Sequence, residues 1–187
     1  MNKFQVDITD ASSLLYHLEK EHGFHFSAPI DVEKIASKLG ITIENDPSLN
    51  NDDIIGEIRF VNEKPVIRIN PIQNTYSARR RFTIAHEIGH YCLHSANTKQ
   101  GFIDSRKTMS RTDSYWDSYE SEANDFAANL LMPLDLIYDE AKSIIDRYLS
   151  DTGEEAIPLQ FLIDYLADKF KVSTKSMEYR LKNISLI

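Results

Sequence analysis

The feature that most restricts this chain is the pentapeptide His86-Glu87-Ile88-Gly89-His90. It lies within residues 77–94, a stretch without proline in which apolar residues recur at the three- and four-residue steps of a partly buried helix. Two histidines four residues apart lie on one face of a helix, so both imidazoles can bind the same metal ion. The carboxylate of Glu87 can reach a water molecule there without binding the metal itself. The motif therefore predicts His86 and His90 as metal ligands and Glu87 as a general base.

A metal site of this kind needs a third ligand, and the residues after the motif narrow its source. Residues 91–95 read Tyr-Cys-Leu-His-Ser and lack the glycine and histidine by which metzincins complete their site. The next predicted helix carries two acids, Glu120 and Glu122. Asn124 lies one turn after Glu120 on the same face, where its amide can orient a ligand imidazole. We therefore expect Glu120 to bind the metal and Glu122 to be a solvated charge.

His94 continues the four-residue series of histidines but is not expected to bind the same ion. A helix rises about 1.5 Å per residue, so ligands spread over eight residues would span about 12 Å, too far for one tetrahedral ion. We expect His94 to support a neighbouring group, to face substrate or to be structural. Four tyrosines are candidates to stabilise a developing oxyanion, and the sequence does not choose among them: Tyr76, Tyr91, Tyr115 and Tyr119.

The rest of the chain predicts a small sheet and several further helices. Residues 9–22 and 31–40 combine apolar spacing, an acidic or hydroxyl cap and a terminal glycine, as helices do. Residues 54–70 alternate apolar and polar positions around Asn62-Glu63-Lys64, which indicates a hairpin in an antiparallel sheet. Residues 95–118 are polar and weakly periodic and predict a long surface loop with room for a short strand. Helices are expected afterwards over 119–132, over 133–149 and twice within 158–187, with a junction near Val172-Ser173.

Length and composition limit the class of protein. A chain of 187 residues that is 42% hydrophobic and 27% charged suits one soluble domain with a real core. Its net charge of −8 argues against a general phosphate-binding surface, and no apolar run approaches the roughly 18 residues of a membrane span. One cysteine, Cys92, and an N-terminal segment without an apolar stretch predict a cytoplasmic protein.

Two segments, RRRFTIAHEIGHYCLH and ESEANDFAANLLMP, resemble the ImmA/IrrE family of zinc metallopeptidases. DVEKIASKLGITI and VSTKSMEYRLKNI also look like the family's usual opening and ending. The resemblance implies an α+β fold of the minimal zincin type, with a small antiparallel sheet packed on the active-site helix and a mostly helical remainder. It implies a single domain over residues 1–187, made of a catalytic core over 1–133 and a helical C-terminal part over 134–187.

The resemblance also implies an activity and a partner. Zn²⁺ would be held by His86, His90 and Glu120, and Glu87 would be the catalytic residue of a metalloendopeptidase. Members of the family act inside bacteria, often from phages or mobile elements, by cutting a partner helix-turn-helix repressor. Cleavage of such a protein substrate would derepress stress or mobile-element genes.

Two other functions stay open. Residues 162–184 look like a helix-turn-helix, but residues 159–187 hold five Lys or Arg against three acids, a small excess for DNA binding. Nucleic acid is therefore not the expected partner. The other candidate is a zinc-bound regulatory or toxin-like module that does not cleave, although a purely structural zinc site would not require Glu87.

An extended substrate is expected to add a strand to an edge of the hairpin over 54–70, which carries Arg59 and Arg68. Strand addition of this kind would present the substrate backbone to the metal. The ligand set predicts zinc, and manganese or iron can occupy the same two histidines and one carboxylate.

Overall fold

A computed structural model describes residues 8–94, 102–105 and 116–187. Within these ranges the chain forms seven α-helices, one 3-10 helix and four strands. In chain order they are α1 (Ala11–His22), α2 (Val32–Lys38), β1 (Thr42–Asn45), the 3-10 helix (Pro47–Asp52), β2 (Ile54–Val61), β3 (Lys64–Ile69), α3 (Ser77–His94), β4 (Phe102–Ser105), α4 (Trp116–Leu131), α5 (Leu134–Thr152), α6 (Leu159–Phe170) and α7 (Thr174–Asn183). None of the helices in these ranges has the length and apolar character that a membrane span requires.

The first two helices begin and end where the sequence predicts. The Asp10 carboxylate accepts a hydrogen bond from the backbone N–H of Ser13 at 2.7 Å, and Gly23 ends α1 with a φ of 63°. Asp31 caps α2 in the same way by accepting from the backbone N–H of Lys34 at 2.9 Å. These caps satisfy backbone groups that a helix end leaves without partners, so the boundaries follow from local sequence.

The four strands form one sheet in the order β1-β3-β2-β4. Strands β2 and β3 are the predicted hairpin, joined by Asn62 and Glu63 with φ values of 49° and 64°. Two residues with positive φ match the right-handed twist of the strands they join. Strand β4 pairs with β2 and is the short strand for which the sequence left room. The predicted loop ends too late, because residues 116–118 already belong to α4. Its other residues, 95–101 and 106–115, lie outside the described residues.

The α+β class is confirmed, but the expectation of an antiparallel sheet is wrong for one pairing. Strand β1 runs parallel to β3, with Thr42 opposite Val66 and Asn45 opposite Ile69. The 3-10 helix carries the chain from β1 to β2, and the hairpin then brings β3 back beside β1 in the same direction. Whether β1 and β3 run parallel depends on where the hairpin places β3. The pattern of apolar and polar residues within β1 carries no information about that placement.

The arrangement also limits where a substrate strand could be added to the hairpin. Strand β1 covers the outer side of β3, and β4 covers the outer side of β2. Within the described residues, β1 pairs with β3 over Val66–Ile69 and β4 pairs with β2 over Ile54–Ile58, so these stretches of the hairpin are not open to an added strand. Arg68, expected at an open edge, instead forms ion pairs with Glu57, at 2.5 Å, and with Asp46.

The core lies between the sheet and the helices, and α3 runs through it. Ile58 and Ile67 of the sheet belong to the same buried cluster as Ile88 of α3. Gly89 allows α3 and α4 to approach closely, because a Cβ there would lie only 3.2 Å from the Phe126 side chain. This short distance between α3 and α4 allows side chains from both helices to share one site.

The C-terminal helices pack against the same core. Met177 and Leu181 of α7 are fully buried within it. The Arg180 guanidinium donates a hydrogen bond to the backbone carbonyl of Met132 at 3.1 Å, which ties α7 to the end of α4. Arg81 of α3 donates to the carbonyl of Phe170, the last residue of α6, at 3.4 Å. These contacts join the helical C-terminal part to the helices that carry the predicted site.

Candidate metal centre

Helices α3 and α4 bring the three predicted ligands together. His86 and His90 lie on successive turns of α3, and their Nε2 atoms are 3.0 Å apart. Glu120 of α4 places Oε2 at 3.3 Å from His86 Nε2 and Oε1 at 3.2 Å from His90 Nε2. All three residues are buried, with 1%, 0% and 6% of their surface exposed in the order given.

The spacing of these donor atoms suits one tetrahedral ion. Zinc–ligand distances of roughly 2.0–2.1 Å at a tetrahedral angle place two donor atoms about 3.3 Å apart, close to the separations in this group. Among the residues that the structure describes, the buried group whose donor atoms all lie within 4.8 Å of one another is His86, His90 and Glu120. Three protein ligands leave a fourth position for water or substrate, as in catalytic zinc sites and unlike closed structural ones. The group could hold a metal ion.

The protonation states of the group also suit a metal. Burial raises the pKa of Glu120, but hydrogen bonds with His86 and His90 outweigh burial and lower that pKa to about 2. Burial lowers the pKa of His90. An ionised carboxylate and a neutral imidazole are the forms in which these side chains bind metals.

Asn124 occupies the supporting position that the sequence predicts. Its Oδ1 lies 3.1 Å from Nδ1 of His86. Binding of a metal through Nε2 requires the tautomer of His86 in which Nδ1 carries the proton, and Asn124 Oδ1 is placed to accept a hydrogen bond from it. The lone pair of His86 then lies on Nε2, the atom that faces Glu120 and His90.

Glu87 is fully buried between α3 and β2. A Cβ built on Gly56 of β2 would lie 3.0 Å from Glu87 Oε1 and 2.6 Å from Thr83 Cγ2. Only a glycine leaves room for both α3 side chains at this point of the strand. The sequence reasoning missed Gly56, although a glycine inside an alternating strand pattern is a recognised sign of close approach.

His94 and Glu122 lie outside the three-residue group. The His94 ring is buried, packs edge-on against Tyr119 at 4.4 Å between centroids, and has Nε2 at 3.7 Å from Glu122 Oε2. The Glu122 side chain is 56% exposed, in keeping with a solvated charge. Of the other tyrosines, Tyr91 is buried in the core, Tyr76 is exposed, and Tyr115 lies outside the described residues.

Comparison with known families decides the family of the chain. The Peptidase_M78 model, described as the IrrE N-terminal-like domain, matches residues 36–182. The chain belongs to this family. The resemblance that the two motif segments carry is thereby confirmed, and the match spans both α3 and α4 of this family member.

One protein of similar sequence has a name that refers to a biological setting. It is "Uncharacterized immunity region protein 2" of Bacillus phage phi105, and it is 39% identical over 101 residues, or 54% of this chain. The matched region is 57% of that relative, so the chain spans little more than half of its length.

Proposed function

We propose that this protein is a zinc-dependent metalloendopeptidase. The observation that carries the proposal is the buried group of His86, His90 and Glu120, whose donor atoms all lie within 4.8 Å of one another. A group with three protein ligands suits catalysis because a fourth position stays open. Membership in a peptidase family supports the same activity.

Each side chain of the site has a role in this proposal. His86, His90 and Glu120 would hold the ion, and Asn124 would keep His86 in the tautomer that binds it. Bound zinc supplies two effects, a lowered pKa for a water molecule and a polarised peptide carbonyl. Glu87 would accept the proton of the attacking water and deliver it to the leaving amine.

The proposed substrate is a helix-turn-helix transcriptional repressor in the same cytoplasm. The similar phage protein is named for an immunity region, and the family resemblance implies cleavage of a partner repressor. Loss of the repressor would derepress stress or mobile-element genes. Expression of these genes would thus begin when proteolysis of the repressor begins.

The C-terminal helices favour this proposal over DNA binding. Lys169 pairs with Glu140 at 3.1 Å, and Lys171 pairs with Asp168 at 2.7 Å. Arg180 is half-buried and bonded to a backbone carbonyl. The acids beside these lysines offset their charge, so the local excess of positive charge is small for phosphate contacts, which supply most of the affinity for DNA. A gel shift with duplex DNA at low and high salt should show no salt-dependent complex.

The test compares the wild-type protein with Glu87→Gln and, as a matched control, with the exposed neighbour Glu122→Gln. Each is analysed for bound metal and incubated with the purified repressor encoded beside its gene. All three should hold about one zinc, and only Glu87→Gln should fail to cut. Zinc without cleavage by the wild type would favour a binding module. A wild type that holds no metal would contradict the proposal.

A further inference from the structure

A cavity of about 230 Å³ opens beside the candidate metal centre. Phe82 and His86 of α3 form one wall, and Met132 at the end of α4 forms another. Val172 and Ser176, on either side of the junction between α6 and α7, contribute a third. His86 borders both the cavity and the metal group, so a molecule in the cavity would lie directly beside the ion.

The size of the cavity suits a single side chain. A water molecule takes about 30 Å³ in the liquid, so the space corresponds to roughly eight waters. Small-molecule sites usually start at about 300 Å³. This cavity is smaller than that, and it is comparable with one large amino-acid side chain.

The polar groups in the wall are largely engaged within the protein. The Thr83 hydroxyl donates to Asn74 Oδ1 at 2.7 Å. The Ser176 hydroxyl lies 2.7 Å from the hydroxyl of Ser173, the residue that caps α7. Apart from Arg79 and Tyr76, which also line the cavity, a polar side chain entering here would give up its water and find few partners, whereas an apolar one would gain from burial.

From these observations we infer that the cavity binds one apolar side chain of the substrate, of the size of leucine, methionine or phenylalanine, at a residue next to the bond that is cut. This inference rests on the proposed function. Consecutive residues of an extended peptide are about 3.3–3.6 Å apart, so a side chain in a cavity bordered by a metal ligand belongs to a residue beside that bond.

The inference gives the C-terminal helices a role in peptide recognition. The N-terminal turn of α7 would be the recognition end in a helix-turn-helix that reads DNA. Here Ser173 and Ser176 of that turn line the cavity instead. The pair of helices therefore completes the substrate site, and residues 172–176 help to set the size of the side chain that is accepted.

Ala78 offers a way to narrow the cavity without removing an interaction. It lines the cavity from the first turn of α3, is half-buried, and has no side-chain hydrogen-bonding group to lose. Ala78→Leu adds three carbon atoms and should narrow the cavity. Ser143→Leu, at an exposed position of α5, adds the same bulk elsewhere and is the matched control.

The experiment incubates the zinc-loaded proteins with a library of peptides from a digested proteome and identifies the cut bonds by mass spectrometry. The wild type and Ser143→Leu should prefer leucine, methionine or phenylalanine over alanine on one side of the bond, by roughly 10- to 100-fold. Ala78→Leu should shift the preference toward alanine and glycine. A uniform profile, or a preference unchanged in Ala78→Leu, would overturn the inference. So would a preference for acidic residues, which would point to Arg79 in the cavity wall.

A wild type that cuts no peptide would count against the proposed function. A binding titration then tests, independently of cleavage, whether the cavity binds an apolar side chain. N-acetyl-leucinamide, titrated into isotope-labelled protein, should shift the amide signals of Thr83 and Ser176. N-acetyl-alaninamide should shift them much less, and Ala78→Leu should weaken the response to the leucine probe. Equal responses to the two probes, or none to either, would overturn the inference whatever the peptidase assay shows.

Discussion

Replacing Gly56 with alanine should reduce proteolysis while leaving the metal content unchanged. The new Cβ would lie 2.6 Å from Thr83 Cγ2 and 3.0 Å from Glu87 Oε1, and real Cβ atoms essentially never show contacts under 3.0 Å. Overpacking of this kind costs about 1–3 kcal/mol, which at this chain length lowers the Tm by about 2–4 °C per kcal/mol. At 3.0 Å the Glu87 carboxylate has to move by a few tenths of an ångström. Because a displacement of about 1 Å can lower a rate by about 100-fold, we expect a loss of roughly 3- to 10-fold.

A second substitution separates the two contacts. Thr83→Ser removes Cγ2 but keeps the hydroxyl that donates to Asn74. In Gly56→Ala/Thr83→Ser the contact with Glu87 therefore stays while the contact with Thr83 is relieved. The double variant should recover most of the lost thermal stability but little of the lost activity.

The assay measures kcat and KM for repressor cleavage, zinc content and Tm for the wild type, both single variants and the double variant. Thr83→Ser alone should cut at nearly the wild-type rate. Full activity in Gly56→Ala at unchanged stability would refute the close packing of Glu87 against β2. Full recovery of activity in the double variant would show that the conflict lies with Thr83 alone.

Two further predictions concern groups around the site. Asn124→Ala removes the acceptor for Nδ1 of His86 and should weaken zinc binding by about 10- to 100-fold in a chelator competition. The control Asn129→Ala, on the same helix, should bind zinc as tightly as the wild type. Equal zinc affinities for the two variants would contradict the role of Asn124. Burial raises the pKa of the Cys92 thiol to about 12. At pH 8 few of these thiols are ionised, so its reaction with a disulfide reagent should be about 50-fold slower than that of an exposed cysteine, and labelling at the rate of an exposed cysteine would contradict the raised pKa.

Local patterns predicted most of the helices and the members of the candidate site. Asp10 and Gly23 mark the ends of α1 because caps act within one turn of the chain. The preference for Glu120 over Glu122 came from helical spacing to Asn124, and the structure places Asn124 beside His86. The roles of these residues in binding and catalysis stay predictions.

Contacts between distant segments were beyond the same reasoning. The parallel pairing of β1 with β3 depends on how the hairpin returns, and no pattern within β1 contains that information. The contact of Gly56 with Glu87 joins residues of a strand and a helix, although the glycine itself was visible as a break in the alternation. The cavity beside His86 needs walls from three separate parts of the chain.

The most direct test of this account is the zinc content of the wild type, Glu120→Ala and Glu122→Ala after dialysis against a weak chelator. Glu120 lies 3.2–3.3 Å from both histidines, whereas Glu122 is exposed and lies beside His94. The wild type and Glu122→Ala should each retain about one zinc per chain, and Glu120→Ala should lose most of it. Equal retention by the two variants, or loss only in Glu122→Ala, would contradict the assignment of the metal centre and the function proposed from it.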